Sequence, residues 1–289
     1  HRFGVSQRLK LKEKAEDYPH QLLLSATPIP RTMAMGVLSG LDISTIKSLP
    51  PNRTPIVTTT LSNNRRDALI NRIKSAIRKN SQVYWVCPLI DESESELIGI
   101  EDLEKILKKE FDSKDYEIIH GKMKDTEKQK ILSDFKDKKT KILLATTVIE
   151  VGIDVPDANI MVIENSERFG LAQLHQLRGR VGRGEKESFC ILMHSDSLTE
   201  LSEKRLQIIT ETNDGFVIAE EDLKLRGPGD ILGLSQTGQP SFTFFDLLAN
   251  QELQVEAERL AQKVIRLPVE QQRRIVERWF PAHLELSDV

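Results

Sequence analysis

The sequence predicts an α/β protein. A parallel sheet flanked by helices is expected over residues 54–198, a remnant of another domain over 1–53, and a mainly helical element over 199–289. Three observations predict this. Strand-length apolar runs alternate with helix-length amphipathic runs through the middle of the chain. One run, QVYWVCPLI, is continuously apolar after Gln82, as is typical of a strand covered on both faces. Charge also shifts where the pattern shifts: residues 1–62 carry 8 basic and 4 acidic side chains, 63–199 carry 23 and 24, and 200–289 carry 10 and 16.

The elements follow in order. QLLLSA has strand length and ends at the proline-rich turn TPIPRT, after which RTMAMGVLSG is compatible with a helix. LPPNRTP cannot continue a helix and marks a boundary between about 50 and 56. PIVTTTL is β-branched and strand-like. In NNRRDALINRIKSAIRKN, Leu69, Ile70, Ile73, Ala76 and Ile77 fall at helical spacing. QVYWVCPLI, YEIIHG, KILLATT, NIMVIEN and ESFCILMHS read as strands. IEDLEKILKKEF, KDTEKQKILSDFKD and LAQLHQLRGR read as helices. Right-handed crossovers then place the strand-end loops on one edge of the sheet, where ligands usually sit. LTELSEKRLQIITETND is amphipathic. EEDLKLRGPGDILGLSQTGQPSF, dense in Gly and Pro, reads as a long loop, and loops of that length are uncommon unless functional. FFDLLANQELQVEAERLAQKVIR and PVEQQRRIVERWF read as helices.

Composition bounds the function. With 41 Lys+Arg against 44 Asp+Glu over 289 residues, the chain is no polycationic nucleic-acid coat. Local phosphate grips remain open, because they need a few placed donors and not bulk charge. Cys87 and Cys190 can form neither a disulfide framework nor a four-ligand zinc site. Each sits in an apolar run, so buried thiols in a reducing compartment are expected. No apolar run approaches membrane-spanning length, and no signal peptide is visible. The chain begins at His1 and not at Met, which reads as a piece cut from a longer protein.

The strongest chemical signal is QLRGRVGRG, residues 176–184. Arg180 and Arg183 lie three apart at a helix end, with Gly179, Gly182 and Gly184 between and after them. Two guanidiniums on a glycine loop can both reach one polyanion, and the glycines allow close backbone approach. The plainer reading is two arginines at a helix C-terminus, favoured by its dipole. In ATTVIEVGIDVP, residues 145–156, Thr146 and Thr147 offer hydroxyls at a strand end. Gly152 gives a permissive backbone, and Asp154 offers a carboxylate suited to a ribose hydroxyl; the plainer reading is a turn in which Asp154 caps a helix. Ser25 and Thr27 in LSATPIPRT stand at a strand end and could relay between a phosphate site and a neighbouring domain, or simply form a Ser/Thr turn. His120, Gly121 and Lys122 stand at another strand end, where a phosphodiester contact or a structural turn would both fit. No G-x-x-x-x-G-K-[ST] loop exists. RGPGDILG is mis-spaced for a dinucleotide motif, and no metal cluster or catalytic triad stands out.

These segments resemble the RecG family, bacterial ATP-dependent branched-DNA helicases of helicase superfamily two, over essentially the whole chain. HRFGVSQR resembles the tail of the family's Asp-Glu-x-His box, LLSATPIPRT motif three, ATTVIEVGIDVP motif five and QLRGRVGR motif six. ERFGLAQLHQLRGRVGRG is shared with the transcription-repair coupling translocase. NDGFVIAEEDLKLRGPGDILGLSQTGQPSF resembles the RecG translocation motif and its loop, and QVYWVCPLIDESE resembles RecG and not the coupling factor.

The resemblance implies a RecA-like parallel sheet and a set of roles. Arg180 and Arg183 would act as arginine fingers on the γ-phosphate of ATP, with Gln176 helping to set that site and Gly152 and Asp154 touching the nucleotide. Ser25, Ala26, Thr27, Thr146 and Thr147 would couple hydrolysis to domain closure. His120, Gly121, Arg205, Arg226 and Gln236 would serve translocation on DNA. Leu234-Ser235 departs from the Thr-Arg expected before Gln236, which puts the role of that arginine in doubt. ATP with Mg is the implied cofactor, with the phosphate loop and the Mg ligands before His1 and no metal site in this chain. The implied partners are branched double-stranded DNA and the wedge and first motor domain of the same protein. A cytoplasmic monomer without ATPase activity of its own, and no membrane partner, are expected. The alternatives are a coupling-translocase fragment, disfavoured by residues 215–242, or a DNA-binding module that never uses ATP, disfavoured by the arginine pair.

Overall fold

The computed structural model describes His20, Leu22, Leu24 and residues 44–46, 54–88, 98–146, 155–184, 186–226 and 251–279. The chain divides into two compact units. One is Thr45–Arg226; the other combines residues 1–44 with 227–289.

The first unit is a parallel sheet wrapped by helices. Strand β1 is Ile56–Ser62, a single 3-10 turn follows at Asn63–Arg65, and α1 is Arg66–Arg78. Then come β2 (Gln82–Val86), α2 (Ile98–Glu110), β3 (Tyr116–Ile119), α3 (Asp125–Lys136), β4 (Ile142–Ala145) and β5 (Ala158–Ile163). The unit continues through α4 (Leu171–Arg178), β6 (Ser188–His194), α5 (Glu200–Glu211) and α6 (Gly215–Arg226). The six strands lie in the order β1-β6-β5-β2-β4-β3. Every described pairing is parallel.

Both sheet faces are covered, which explains the unbroken apolar runs at its centre: all residues of β2, β4 and β5 are buried. On one face Tyr84, Leu143, Met161 and Leu192 pack with Phe135 of α3 and with Leu171, Leu174 and Leu177 of α4. On the other, Val83, Trp85, Leu144 and Val162 pack with Leu69, Ile70 and Ile73 of α1 and with Leu103 and Leu107 of α2. Cys87 and Cys190 are buried and unpaired with each other. Burial pushes the Cys190 thiol up to about 12 and the Cys87 thiol higher still.

Two differences from the sequence reading concern the last third of this unit. Glu220–Arg226, expected to open the long loop, is the second half of α6. The apolar residues of α6 are scattered around its axis and form no stripe; Ile218 and Leu223 are buried, Leu225 is half-buried, and Val217 is exposed. Helices α5 and α6 also share the sheet's core through Leu206, Ile209 and Ile218, so they pack with the strands as one unit.

The described part of the second unit is mainly a helical pair. Helix α7 is Gln251–Val264 and α8 is Val269–Trp279. Gln272 ties them together, its amide donating to the carbonyls of Ile265 and Leu267 at 2.9 and 2.7 Å. Among the described residues, no helix is long and apolar enough to cross a membrane.

Candidate functional site

Helix α4 is short, and its apolar side, Leu171, Leu174 and Leu177, is fully buried. It ends at Arg178, so Arg180 lies just beyond the helix. Gly179 caps it, with its amide donating to the carbonyl of His175 at 3.0 Å. Val181 is a buried anchor that pins the loop. Gly182 then takes φ +78°, a left-handed conformation that favours glycine. A Cβ on Gly182 would stand 2.9 Å from Ile56 Cγ1, and one on Gly184 would stand 2.5 Å from the carbonyl oxygen of Pro156. Both glycines are therefore required for the loop to lie flat against the starts of β1 and β5. Within this frame Arg183 is exposed, and Arg180 and Gln176 are half-buried.

The surroundings hold the loop in place. Asn159 donates to the carbonyl of Glu187 at 3.0 Å, and Lys186 donates to the carbonyl of Asn80 at 3.0 Å. Asp157 pairs with Lys138 at 2.8 Å. The loop thus occupies the edge at which β1, β5 and β6 begin.

This placement corrects the expectation that the candidate residues share one edge of strand ends. His120 and Gly121 follow β3 and Thr146 follows β4, so they sit at the opposite edge. The reason is topological. In a parallel sheet a segment leaving a strand lies at the finishing edge, whereas one leading from a helix into a strand, as 179–187 does, lies at the starting edge. Residues 147–154 connect the two edges. Thr147, Gly152 and Asp154 lie outside the described residues, but Pro156, two residues past Asp154, is the group that Gly184 abuts. Among the described residues, Pro156 and the arginine loop are in contact through Gly184.

At the finishing edge, Thr146 is fully buried, and its Oγ1 has no hydrogen-bond partner among the described residues. His120 Nδ1 beside it is likewise buried and unpartnered there. Lys128 donates to the carbonyl of Gly121 at 2.9 Å, which fixes the turn.

Sequence reasoning passed over two arginines. Arg178 is 2 % exposed, and its Nη1 donates to the carbonyls of Ile209 and Thr212 at 2.7 and 2.8 Å. It therefore ties the last turn of α4 to the last turn of α5, with His175 Nδ1 3.0 Å from its Nη2. Burial lowers its pKa from the ordinary arginine value. A basic residue two positions before Arg180 in the same motif was the available signal. Arg66 makes a forked pair with Glu164, at 2.5 and 2.8 Å, and Trp85 Nε1 donates to the same carboxylate at 2.9 Å. The bond to Glu164 raises the Arg66 pKa. No local signal marks this pair, since its members are 98 positions apart.

Arg205, assigned to translocation from the resemblance, lies on α5 and donates to the carbonyl of Phe169 at 3.0 Å, just before α4. Arg178 and Arg205 thus bind α5 to both ends of α4. Arg226 closes α6. Ser25, Ala26, Thr27 and Gln236 lie outside the described residues. Among the described residues, no group of three or more His, Cys, Asp or Glu stands together to hold a metal.

With this geometry, the comparisons with known proteins are specific. The helicase conserved C-terminal domain matches residues 63–185. The C-terminal part of domain 3 of the ATP-dependent DNA helicase RecG matches residues 212–270, which takes in all of α6 and all of α7. The ATP-dependent DNA helicase RecG of Pasteurella multocida is 49% identical over 284 residues, covering 96% of this chain and 41% of that protein. That of Escherichia coli K12 is 48% identical over 286 residues, covering 97% and 41%. The chain belongs to the RecG helicase family. A solved structure of RecG bound to a three-way DNA junction matches with a TM-score of 0.62 and 39% identity, over 83% of this chain and 32% of that one. This RecG-type chain spans about two fifths of the length of those curated relatives.

Proposed function

We propose that this chain is the second motor half and translocation element of an ATP-dependent helicase that acts on branched double-stranded DNA, at stalled forks and Holliday junctions in repair and recombination. The observation that carries the reading is the arginine loop at 179–184. Gly182 and Gly184 press it onto the starts of β1 and β5, and Arg183 on it is exposed. A surface that must meet another domain's bound triphosphate needs this arrangement: fixed backbone and projecting forked donors.

The roles follow from the family resemblance. Arg180 and Arg183 reach toward the γ-phosphate of ATP held by the first motor domain and stabilise the negative charge that develops as it leaves. Gln176, one turn back on α4, helps set that site. Gly152 and Asp154 touch the nucleotide beside them. Ser25, Ala26, Thr27, Thr146 and Thr147 pass nucleotide state toward domain closure. Bound Mg–ATP supplies the phosphoryl group, and the lysine loop and acidic pair that hold it belong to the rest of the parent protein. The wedge belongs there too. The arginine donor set and the glycine-lined loop suit a polyphosphate.

Coupling uses the hydrogen bonds around α4. Movement of the arginine loop on closure drags α4, and Arg178 and Arg205 carry that movement into α5. Helix α6, ending at Arg226, delivers it to the residues that follow, Gln236 among them. His120 and Gly121, on the opposite edge, hold the DNA backbone. The parent protein works as a cytoplasmic monomer.

The isolated chain then supplies half of a shared site and hydrolyses ATP negligibly. Steady-state hydrolysis by the purified 289-residue chain, with and without fork DNA, tests this. Background rates in both conditions are expected, and DNA-stimulated hydrolysis would overturn the division of labour.

A further inference from the structure

Strand β3 is an edge of the six-stranded sheet and has one strand neighbour, β4, among the described residues. The two helices that flank it lie on opposite faces. Leu103 and Leu107 of α2 pack with Tyr116 on one face. Ile131 and Phe135 of α3 pack with Ile119 on the other. The helices overhang the strand and leave a cavity of about 450 Å³ along it, lined by Glu104, Glu117, Ile118, Glu127, Lys130 and Asp134 among others.

The charge of this groove is one-sided, with four carboxylates against one lysine. Glu104 and Asp134 pair with Lys108 and Lys139 at 2.8 and 2.6 Å. Glu117 and Glu127 have no ion-pair partner among the described residues. Proteins blunt a bare strand edge most often with lysine, which repels a second such edge. Here the strand is four residues long and carries glutamate at its centre. Duplex phosphates are repelled from such a groove, whereas a basic chain is drawn in.

We propose that the β3 groove docks an extended, lysine- or arginine-rich protein segment, which pairs with β3 as a further strand. Its backbone meets the edge, alternate apolar side chains meet Ile118 on the α2 face, and the basic side chains between them meet Glu117 and Glu127 on the α3 face. This is strand addition, in which main-chain bonds supply affinity and alternate side chains supply selectivity. The surface is separate from the arginine loop and does not depend on the motor assignment.

The probe is a labelled, end-capped alternating Lys-Val heptapeptide, titrated against the full 289-residue chain by fluorescence anisotropy. Saturable binding is expected. Glu117→Lys and Glu127→Lys should each weaken it about tenfold, with the fold checked by circular dichroism. Alternate backbone N-methylation of the peptide, which keeps charge and side chains, should abolish binding. No saturable binding would overturn the proposal. So would equal binding of the N-methylated peptide, which would mean charge alone. Displacement of the peptide by duplex DNA from the wild-type chain but not from Glu117→Lys would also overturn it, because the groove would then be a nucleic-acid surface.

Discussion

The two edges of the sheet are built on opposite principles. At the starting edge the arginine loop is held by backbone fit: glycines against Ile56 and Pro156, the Glu187 carbonyl accepting from Asn159, and Lys186 donating to the carbonyl of Asn80. Arg183 on it is exposed and Arg180 half-buried. Across the sheet, at the finishing edge, an arginine is consumed internally. Arg66 is locked to Glu164 and Trp85 and ties the start of α1 to the end of β5. The same residue type does two jobs, and the backbone beneath it decides which. On a glycine loop an arginine can serve a ligand; against a buried carboxylate it serves the fold.

The contrast makes predictions of decreasing size. In the full-length parent, Arg183→Ala should slow DNA-stimulated hydrolysis about 10³-fold while leaving DNA binding near normal, as loss of an arginine finger does; rapid-quench hydrolysis and fork-binding titrations check it. Glu164→Ala should do the reverse. It strands a partly buried guanidinium and should cost about 3 kcal/mol of stability in urea melts, with little change in hydrolysis per folded molecule. Gly184→Ala lies between the two. It should cost about 1–2 kcal/mol through backbone strain against Pro156 and also depress hydrolysis by displacing Arg183. Thiol reactivity should respond least. Burial holds both cysteines protonated at pH 8, so neither should be alkylated by iodoacetamide until urea unfolds the chain.

Much of the sheet is legible in the sequence because its signals are local. β2 is buried at every position and apolar after Gln82, and Leu69, Ile70 and Ile73 mark one face of α1. Leu171, Leu174 and Leu177 mark α4 in the same way. The arginine loop is legible because its chemistry sits in nine consecutive residues. Helix α6 is legible only in part, since its apolar residues form no stripe. The Arg66–Glu164 pair is not legible at all, because partners 98 residues apart meet only when β5 comes to lie near α1. The edge assignment failed for a related reason. Proximity along the chain says that 145–156 and 176–184 are one βα unit apart, but only strand direction says at which end they meet.

The central claim is that the arginine loop and the end of α6 perform different parts of one cycle, joined through Arg178 and Arg205. Comparing Arg226→Ala with wild type in the full-length parent, with fork unwinding and DNA-stimulated hydrolysis read in the same reaction, tests it most directly. The account predicts near-normal hydrolysis with unwinding lost. Loss of both activities in proportion to weakened DNA affinity would contradict it.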